Sequence, residues 1–376
     1  MGKRVWSKKA VLRESLLGIA RSLGPGQRMP TVAMLCKSLS VSNSTLDPIL
    51  RELGTQGAIR REHGRGIFVS PTIHQKTVGV VFGGDIFGNT HSPFWSLLLQ
   101  AMRKQAGGHA LRPRGYLDIS QGRDGLGGHA QLIEDIEDRR LDGLLLIEPR
   151  LDSDQAGQLR AYGVPLVVFG GRSPGWTVTH DVAALLALAA RELAAGGCRR
   201  VALLGNGALA HRPRLKREMR EAGAADAQVA DWSYETWAAR IPWAGSVENC
   251  AYLLTQRLIA ARTQTPWPDA VVSLDDTMTR GVITALQQAG LQPGRDLRIV
   301  TAANTGSPVL MPYAADLVAI EFDPAESVRA ALAMLGTLME GGTPESNPVL
   351  IAPKPREQTP RNHSCSPVSS PLHYPL

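Results

Sequence analysis

Apolar positions in the first seventy residues recur at helical spacing. Val11, Leu12, Leu16, Ile19 and Leu23 are assigned to one face of a helix over residues 8–22, which Gly24-Pro25-Gly26 breaks. Thr31 can cap a short second helix that turns Val32, Leu35 and Leu39 inward, and Ser40-Val41-Ser42 reads as a turn. A third helix is predicted from about Ser42 to Leu53, burying Leu46, Ile49, Leu50 and Leu53 and ended by Gly57. Pro48 falls inside it and is tolerable if the helix effectively starts near Ser44. Residues 58–62, a Gly64-Arg65-Gly66 turn and Ile67-Phe68-Val69 then read as a hairpin. The pattern predicts a small helical head with a two-stranded wing over residues 1–71 and a short linker over 72–75.

From Lys76 the rhythm changes. Apolar runs of strand length at 78–82, 143–147, 165–169, 200–204, 270–274, 297–301 and 317–320 alternate with helical segments. The helices are expected near 94–106, 128–139, 153–162, 181–195, 212–222, 245–262, 277–289 and 324–340. Such βαβα alternation predicts an α/β fold of doubly wound parallel sheets. The stretch 76–356 is too long for one comfortable sheet, so two similar lobes with a cleft between them are expected. Residues 357–376, rich in Pro, Ser and His, read as a disordered tail.

Charge sharpens the division. Residues 1–71 hold twelve Lys/Arg against four Asp/Glu, a net +8, whereas the whole chain of 376 residues is +7. A basic module on a near-neutral body is the footprint of nucleic-acid binding. No apolar run is long enough to suggest a membrane span. The basic start is not followed by an apolar stretch of the kind a leader peptide carries. Cys36, Cys198, Cys250 and Cys365 lie far apart, which fits reduced thiols in cytoplasm better than a disulfide or zinc framework. The nine histidines show no metal-ligand spacing, and no catalytic or nucleotide-binding motif is present, so neither an enzyme nor a cofactor is expected.

Residues 8–70 resemble the GntR-type winged helix. The resemblance rests on Pro25-Gly26-Gln27-Arg28-Met29-Pro30-Thr31, Leu39-Ser40-Val41-Ser42, Ser44-Thr45-Leu46, Leu50-Arg51-Glu52-Leu53, Gly57 and Gly64-Arg65-Gly66-Ile67-Phe68-Val69. It implies that the third helix faces the major groove and that Arg65, at the wing tip, enters the minor groove. Ser42, Asn43, Ser44 and Thr45 are then the expected base and phosphate contacts, with Arg28, Lys37, Arg51, Arg60, Arg61 and Arg65 as phosphate partners. The sequence departs from the family where Ala33, Asn43 and Asp47 stand in place of arginines.

Residues 76–356 resemble the LacI-type regulator core, which shares the periplasmic sugar-binding-protein fold. The marks include Val78-Gly79-Val80-Val81-Phe82, Ser92-Pro93-Phe94-Trp95, Leu141-Asp142-Gly143-Leu144, Val164-Pro165-Leu166-Val167-Val168-Phe169, Arg199-Arg200-Val201 and Ser273-Leu274-Asp275-Asp276. The pairing with a GntR-type head resembles arabinose-repressor-like hybrid regulators. It implies that Phe94 and Trp95 face a sugar ring, that Asp276 accepts from its hydroxyls, and that Arg172 and Arg212 donate to its oxygens. Core packing is the competing reading for the aromatic pair, and a helix cap the competing reading for Asp276. Where the family has Gly-Phe-Asp, this chain has Ala302-Ala303-Asn304, so Asn304 is the remaining candidate and one charge is lost.

Together these readings predict a cytoplasmic, homodimeric, ligand-responsive transcriptional regulator, expected to repress, with operator DNA and a small sugar or sugar-like effector as partners. A second reading is a cytosolic sugar-binding protein with a degenerate head, suggested by Ala33, Asn43 and Asp47.

Overall fold

The computed structural model describes residues 7–83, 93–106, 111–117, 129–148, 153–170, 175–205, 207–233, 246–263 and 266–356. Arg172, Cys365 and the segment 357–376 lie outside the described residues.

Three capped helices build the head. Helix α1 (Lys8–Leu23) starts where the Ser7 hydroxyl accepts from the Ala10 amide at 3.0 Å. Helix α2 (Val32–Leu39) is capped by Thr31, whose side chain accepts from the Met34 amide at 3.3 Å. Helix α3 (Asn43–Thr55) is capped in the same way by Ser42, and beyond it Gly57 turns the chain with φ +68°. These caps satisfy amides that a helix start leaves open. Strands β1 (Ile59–Glu62) and β2 (Gly66–Val69) form the antiparallel wing. Leu16, Leu35, Leu46, Leu50, Leu53, Ile59 and Val69 make the head's core.

One expectation for the head needs correction. Val11 and Leu23 are 55% and 38% exposed, so the buried stripe of α1 is Leu12, Leu16, Leu17 and Ala20 instead. Helix α3 begins at Asn43, in line with the expected start between Ser42 and Ser44, and continues past Pro48. The carbonyl that Pro48 deprives of a donor is that of Ser44, an exposed residue in the first turn, where water can serve it. The segment after the wing is packed, because Ile73 joins the head's core and the Thr72 hydroxyl donates to the Gly57 carbonyl at 3.3 Å.

Two six-stranded sheets follow, as the apolar rhythm implied. The first holds β3 (Lys76–Phe82), β4 (Leu111–Leu117), β5 (Gly143–Ile147), β6 (Leu166–Phe169), β7 (Trp176–His180) and β13 (Val349–Ile351), all parallel, in the order β13-β7-β6-β5-β3-β4. Helices α4 (Pro93–Ala106), α5 (Ala130–Glu137) and α6 (Ser153–Ala161) connect its strands. The second holds β8 (Arg200–Gly205), β9 (Gln228–Ser233), β10 (Ala270–Ser273), β11 (Arg298–Asn304), β12 (Val318–Phe322) and the short β14 (Lys354–Pro355), which alone is antiparallel. Helices α7 (Val182–Ala195), α8 (Ala208–Glu221), α9 (Val247–Ala261) and α10 (Asp276–Gln288) accompany it, and α11 (Pro324–Met339) returns the chain to the first sheet. The chain divides accordingly into two units, the first comprising the head and the first sheet.

The apolar pattern missed β4, β7, β9, β13 and β14. Strands β4 and β9 are sheet edges, and β4 carries Arg112, Pro113 and Arg114, so neither shows a continuous apolar run. Helix α8 starts at Ala208, four residues earlier than the region 212–222 suggested, and runs through Pro213.

Within the second unit, α9 and α10 approach closely at Gly281. A methyl group there would lie 2.2 Å from the Glu248 carbonyl oxygen, a backbone atom that cannot swing away. Gly281→Ala is therefore expected to destabilise the protein by about 1–3 kcal/mol through overpacking. Equilibrium urea unfolding measures it, and an unchanged midpoint would contradict the packing described.

Candidate nucleic-acid interface and effector site

The N-terminus of α3 presents a cluster of exposed hydroxyls. The Ser42 hydroxyl lies 2.8 Å from that of Ser44 and 2.9 Å from that of Thr45, with Asn43 exposed beside them. Free amides and a positive helix end favour an anion at such a terminus. Around it, two carboxylates each hold two of the head's arginines. Asp47 pairs with Arg51 at 2.6 Å and Arg61 at 2.8 Å, while Glu62 pairs with Arg60 at 3.0 Å and Arg65 at 2.7 Å. The hydrogen bond from Arg61 holds the Asp47 carboxyl below the usual carboxylate range. Arg65 also stacks over Phe68 at 5.7 Å, which keeps it at the wing. Lys37 is exposed on α2, and the Arg28 guanidinium lies against Gly66.

The other end of α3 is tied to the first sheet by buried charge. Glu52 accepts from Arg140 at 2.8 Å and pairs with Lys9 at 3.2 Å. Burial pushes the Glu52 carboxyl up, but the bonds from Arg140 and Lys9 outweigh it and hold it below its ordinary range. Arg140 also reaches Asp135 at 2.7 Å, Asp138 at 2.7 Å and Glu134 at 3.1 Å. Asp135, fully buried, further accepts from the Tyr116 hydroxyl and pairs with Arg114 at 2.8 Å. Glu52 lies within the Leu50-Arg51-Glu52-Leu53 motif, but no motif marks its partners, and only their meeting in the fold reveals the cluster.

At the carboxyl ends of the second sheet, Asp275 and Asp276 divide two tasks. The cap of α10 is Asp275, whose side chain accepts from the Met278 amide at 2.8 Å. Asp276 is therefore released from the capping role that competed for it. It is 2% exposed and accepts from the Ser307 hydroxyl at 2.8 Å. The Ser307 amide in turn donates to the carbonyl of Asn304, the last residue of β11, at 2.8 Å. Burial pushes the Asp276 carboxyl up, against the bonds from Ser307 and Thr277. Ser307 was not singled out from the sequence, because only the turn after β11 brings its hydroxyl to Asp276.

The other candidates are placed less together. Arg212 lies on α8 with its Nε donating to the Val229 carbonyl at 2.7 Å. Phe94, 8% exposed, packs into a core at the start of α4. Trp95 is half-buried and meets Phe82 edge-on, with ring centroids 5.9 Å apart.

Family comparison settles the architecture. Residues 10–69 match the family of bacterial regulatory proteins of the gntR type, and residues 190–359 match the periplasmic binding protein-like domain. The chain joins a GntR-family DNA-binding head to a periplasmic-binding-protein-like core. Its structural neighbours are LacI-family regulators. One is a regulatory protein of the LacI family from Chloroflexus aggregans, 21% identical, covering 74% of this chain and 96% of that one with a TM-score of 0.54. A second is a LacI family transcriptional regulator from Arthrobacter sp. FB24 in complex with lactose, 18% identical over 75% and 97% of the chains, TM-score 0.58. A third, from Enterococcus faecium with bound ribose, is 15% identical over 75% and 97%, TM-score 0.57. No curated protein matches the chain. No helix among the described residues is long and apolar enough to cross a membrane.

The buried acid of the GntR-headed chain yields a pH prediction. A carboxyl whose folded pKa is raised costs stability when ionised. That cost is complete above the folded pKa and vanishes below the unfolded value. Asp276→Asn, which keeps an acceptor for Ser307, is thus expected to raise the thermal midpoint at pH 7, with the gain shrinking as pH falls. Calorimetric scans across pH 4–8 check this, and a variant less stable at pH 7 would contradict it.

Proposed function

We propose that the protein is a ligand-responsive, sequence-specific DNA-binding transcriptional regulator that acts as a homodimer and whose effector is a sugar or sugar derivative. The observation that carries the reading is the exposed hydroxyl-rich N-terminus of α3, on a basic GntR-family head joined to a periplasmic-binding-protein-like core. Asn43 reads bases, adenine suiting an asparagine best, while Arg28, Lys37, Arg51, Arg60, Arg61 and Arg65 serve phosphates. Two heads on one dimer would supply enough contacts for a two-fold-related operator. The regulator families to which the head and the neighbours belong speak for control of transcription rather than catalysis.

In the core, Asp276 accepts hydroxyl hydrogens of the effector, with Ser307 holding the carboxylate in place and Asn304 nearby. Trp95 offers a ring face, and Arg172 and Arg212 are donors to effector oxygens. Binding lowers the free energy of one conformer more than another, which shifts the head's population of DNA-competent states. The lactose and ribose bound to two neighbours support a sugar as the ligand class.

One observation favours the alternative, a sugar-binding protein with a head that no longer binds DNA: Asp47 and Glu62 already occupy four arginines. Anisotropy titration against DNA from upstream of the protein's own gene separates the two. Affinity is expected to fall about a thousandfold between about 50 and 200 mM salt if some six phosphates are neutralised. Arg61→Gln should weaken every sequence alike, whereas Asn43→Ala should change the preference among sites. Absence of saturable, salt-sensitive binding would favour the alternative. Separately, Asp276→Ala should cost about ten- to a hundredfold in effector affinity with DNA binding intact, since a charged hydrogen bond contributes about 1.5–3 kcal/mol. A calorimetric screen of pentoses and hexoses measures it, and a sugar bound equally by wild type and Asp276→Ala would remove Asp276 from the site.

A further inference from the structure

Where the head meets the first sheet, a small cleft of about 50 Å³ opens between α1, the end of α3, the segment after the wing and β4. Five arginines line it against two carboxylates, Glu14 and Asp142. Both carboxylates have other work: Glu14 accepts from Arg21 at 3.2 Å, and Asp142 accepts from the Thr77 amide at 2.7 Å.

Two of the guanidiniums make hydrogen bonds to neutral acceptors alone. Arg13 is 6% exposed, and its terminal nitrogens donate to the Arg139 carbonyl at 2.7 Å and to Gln56 Oε1 at 2.9 Å. Its Nε is buried with no hydrogen-bond acceptor; the nearest carboxylate oxygen, on Glu52, stands 3.6 Å away and is taken by Arg140 at 2.8 Å. Burial pushes the Arg13 pKa down, the direction expected of a cation poorly compensated where it sits. Arg112 donates to the Gln56 carbonyl and to the Thr72 hydroxyl at 3.2 Å. Gly57, with φ +68°, leaves room beside that guanidinium, since a side chain there would begin 3.5 Å from it. Two planar, permanently charged donors thus border one cleft without a carboxylate hydrogen bond, a combination that suits an oxyanion with several acceptor oxygens.

We propose that this junction is an anion-binding site for phosphate or a small phosphomonoester, held by Arg13 and Arg112. It is distinct from the DNA-facing end of the head. Asn43 opens the thirteen-residue helix α3 and Gln56 is its C-cap, about 20 Å away at about 1.5 Å per residue. Because the cleft is lined from both the head and the sheet, a bound anion ties the two together. The site does not depend on what the head or core recognises elsewhere.

The test is calorimetry on the full chain, without DNA or sugar, with inorganic phosphate as the probe and chloride at matched ionic strength as the control. Saturable phosphate binding tighter than about 1 mM is expected. Arg112→Gln should weaken it at least about tenfold, and Arg112→Lys, which keeps the charge but loses the fork, should fall between. Arg295→Gln, at an exposed arginine of the second unit, should bind as wild type does. A thermal midpoint that rises with phosphate and not with chloride is the companion readout and needs no variant. No saturation up to about 10 mM, equal affinity in Arg112→Gln, or equal loss in Arg295→Gln would each overturn the proposal.

Discussion

The head's placement depends on one buried cluster of charge, Glu52 with Arg140 and the carboxylates around it. Glu52 sits near the end of the helix that carries the hydroxyl cluster, and Arg140 lies between α5 and the first sheet's second buried strand, β5. Arg140 meets four carboxylates, on Glu52, Glu134, Asp135 and Asp138. Removing Arg140 would leave the buried Asp135 and the half-buried Glu52 without their cation, which destabilises the junction between helix and sheet. A head fixed in this way moves with its sheet. A change in the sheet then reaches α3 through side chains that meet directly, without a flexible tether between.

The same logic applies at the other end of α3, where charge is exposed and the outcome differs. Asp47 and Glu62 hold their arginines in water, where an ion pair contributes little. A phosphate can replace either carboxylate at modest cost. The pairs therefore set where the guanidiniums wait rather than preventing their use. Asp47, one of the positions where the sequence was read as departing from the GntR-type pattern, also bridges α3 to the wing strand through Arg61. The residue that departs from the pattern thus helps hold wing and helix in register.

Much of this was legible in the sequence, for reasons that can be named. Ser42 and Thr31 announced helix starts because capping is local chemistry, and the buried strands β3, β5 and β10 announced themselves because a strand covered on both faces must be apolar throughout. Edge strands such as β4 lack that constraint and were missed. Val11 was misplaced because α1 is apolar over more of its circumference than it buries. Asp276 is singled out in the sequence only by its resemblance to a family position, and its partner Ser307 and the capping role of Asp275 needed the turn after β11 to be seen. The charges of Glu52, Arg13, Arg112 and Arg140 were invisible as a group, since their spacing along the chain carries no period.

The short strands near the end of the described chain carry a consequence for biosynthesis. Strand β13 completes the edge of the first sheet beside β7, and β14, three residues later, pairs with β12 in the second. Both sheets are therefore left with an open edge until residues 349–355 have emerged from the ribosome. The head, by contrast, is built from the unbroken run between Ser7 and Ile73 and can close early in synthesis. For most of translation a finished head precedes two unfinished sheets, and their exposed β7 and β12 edges are the places where the nascent chain is open to mispairing.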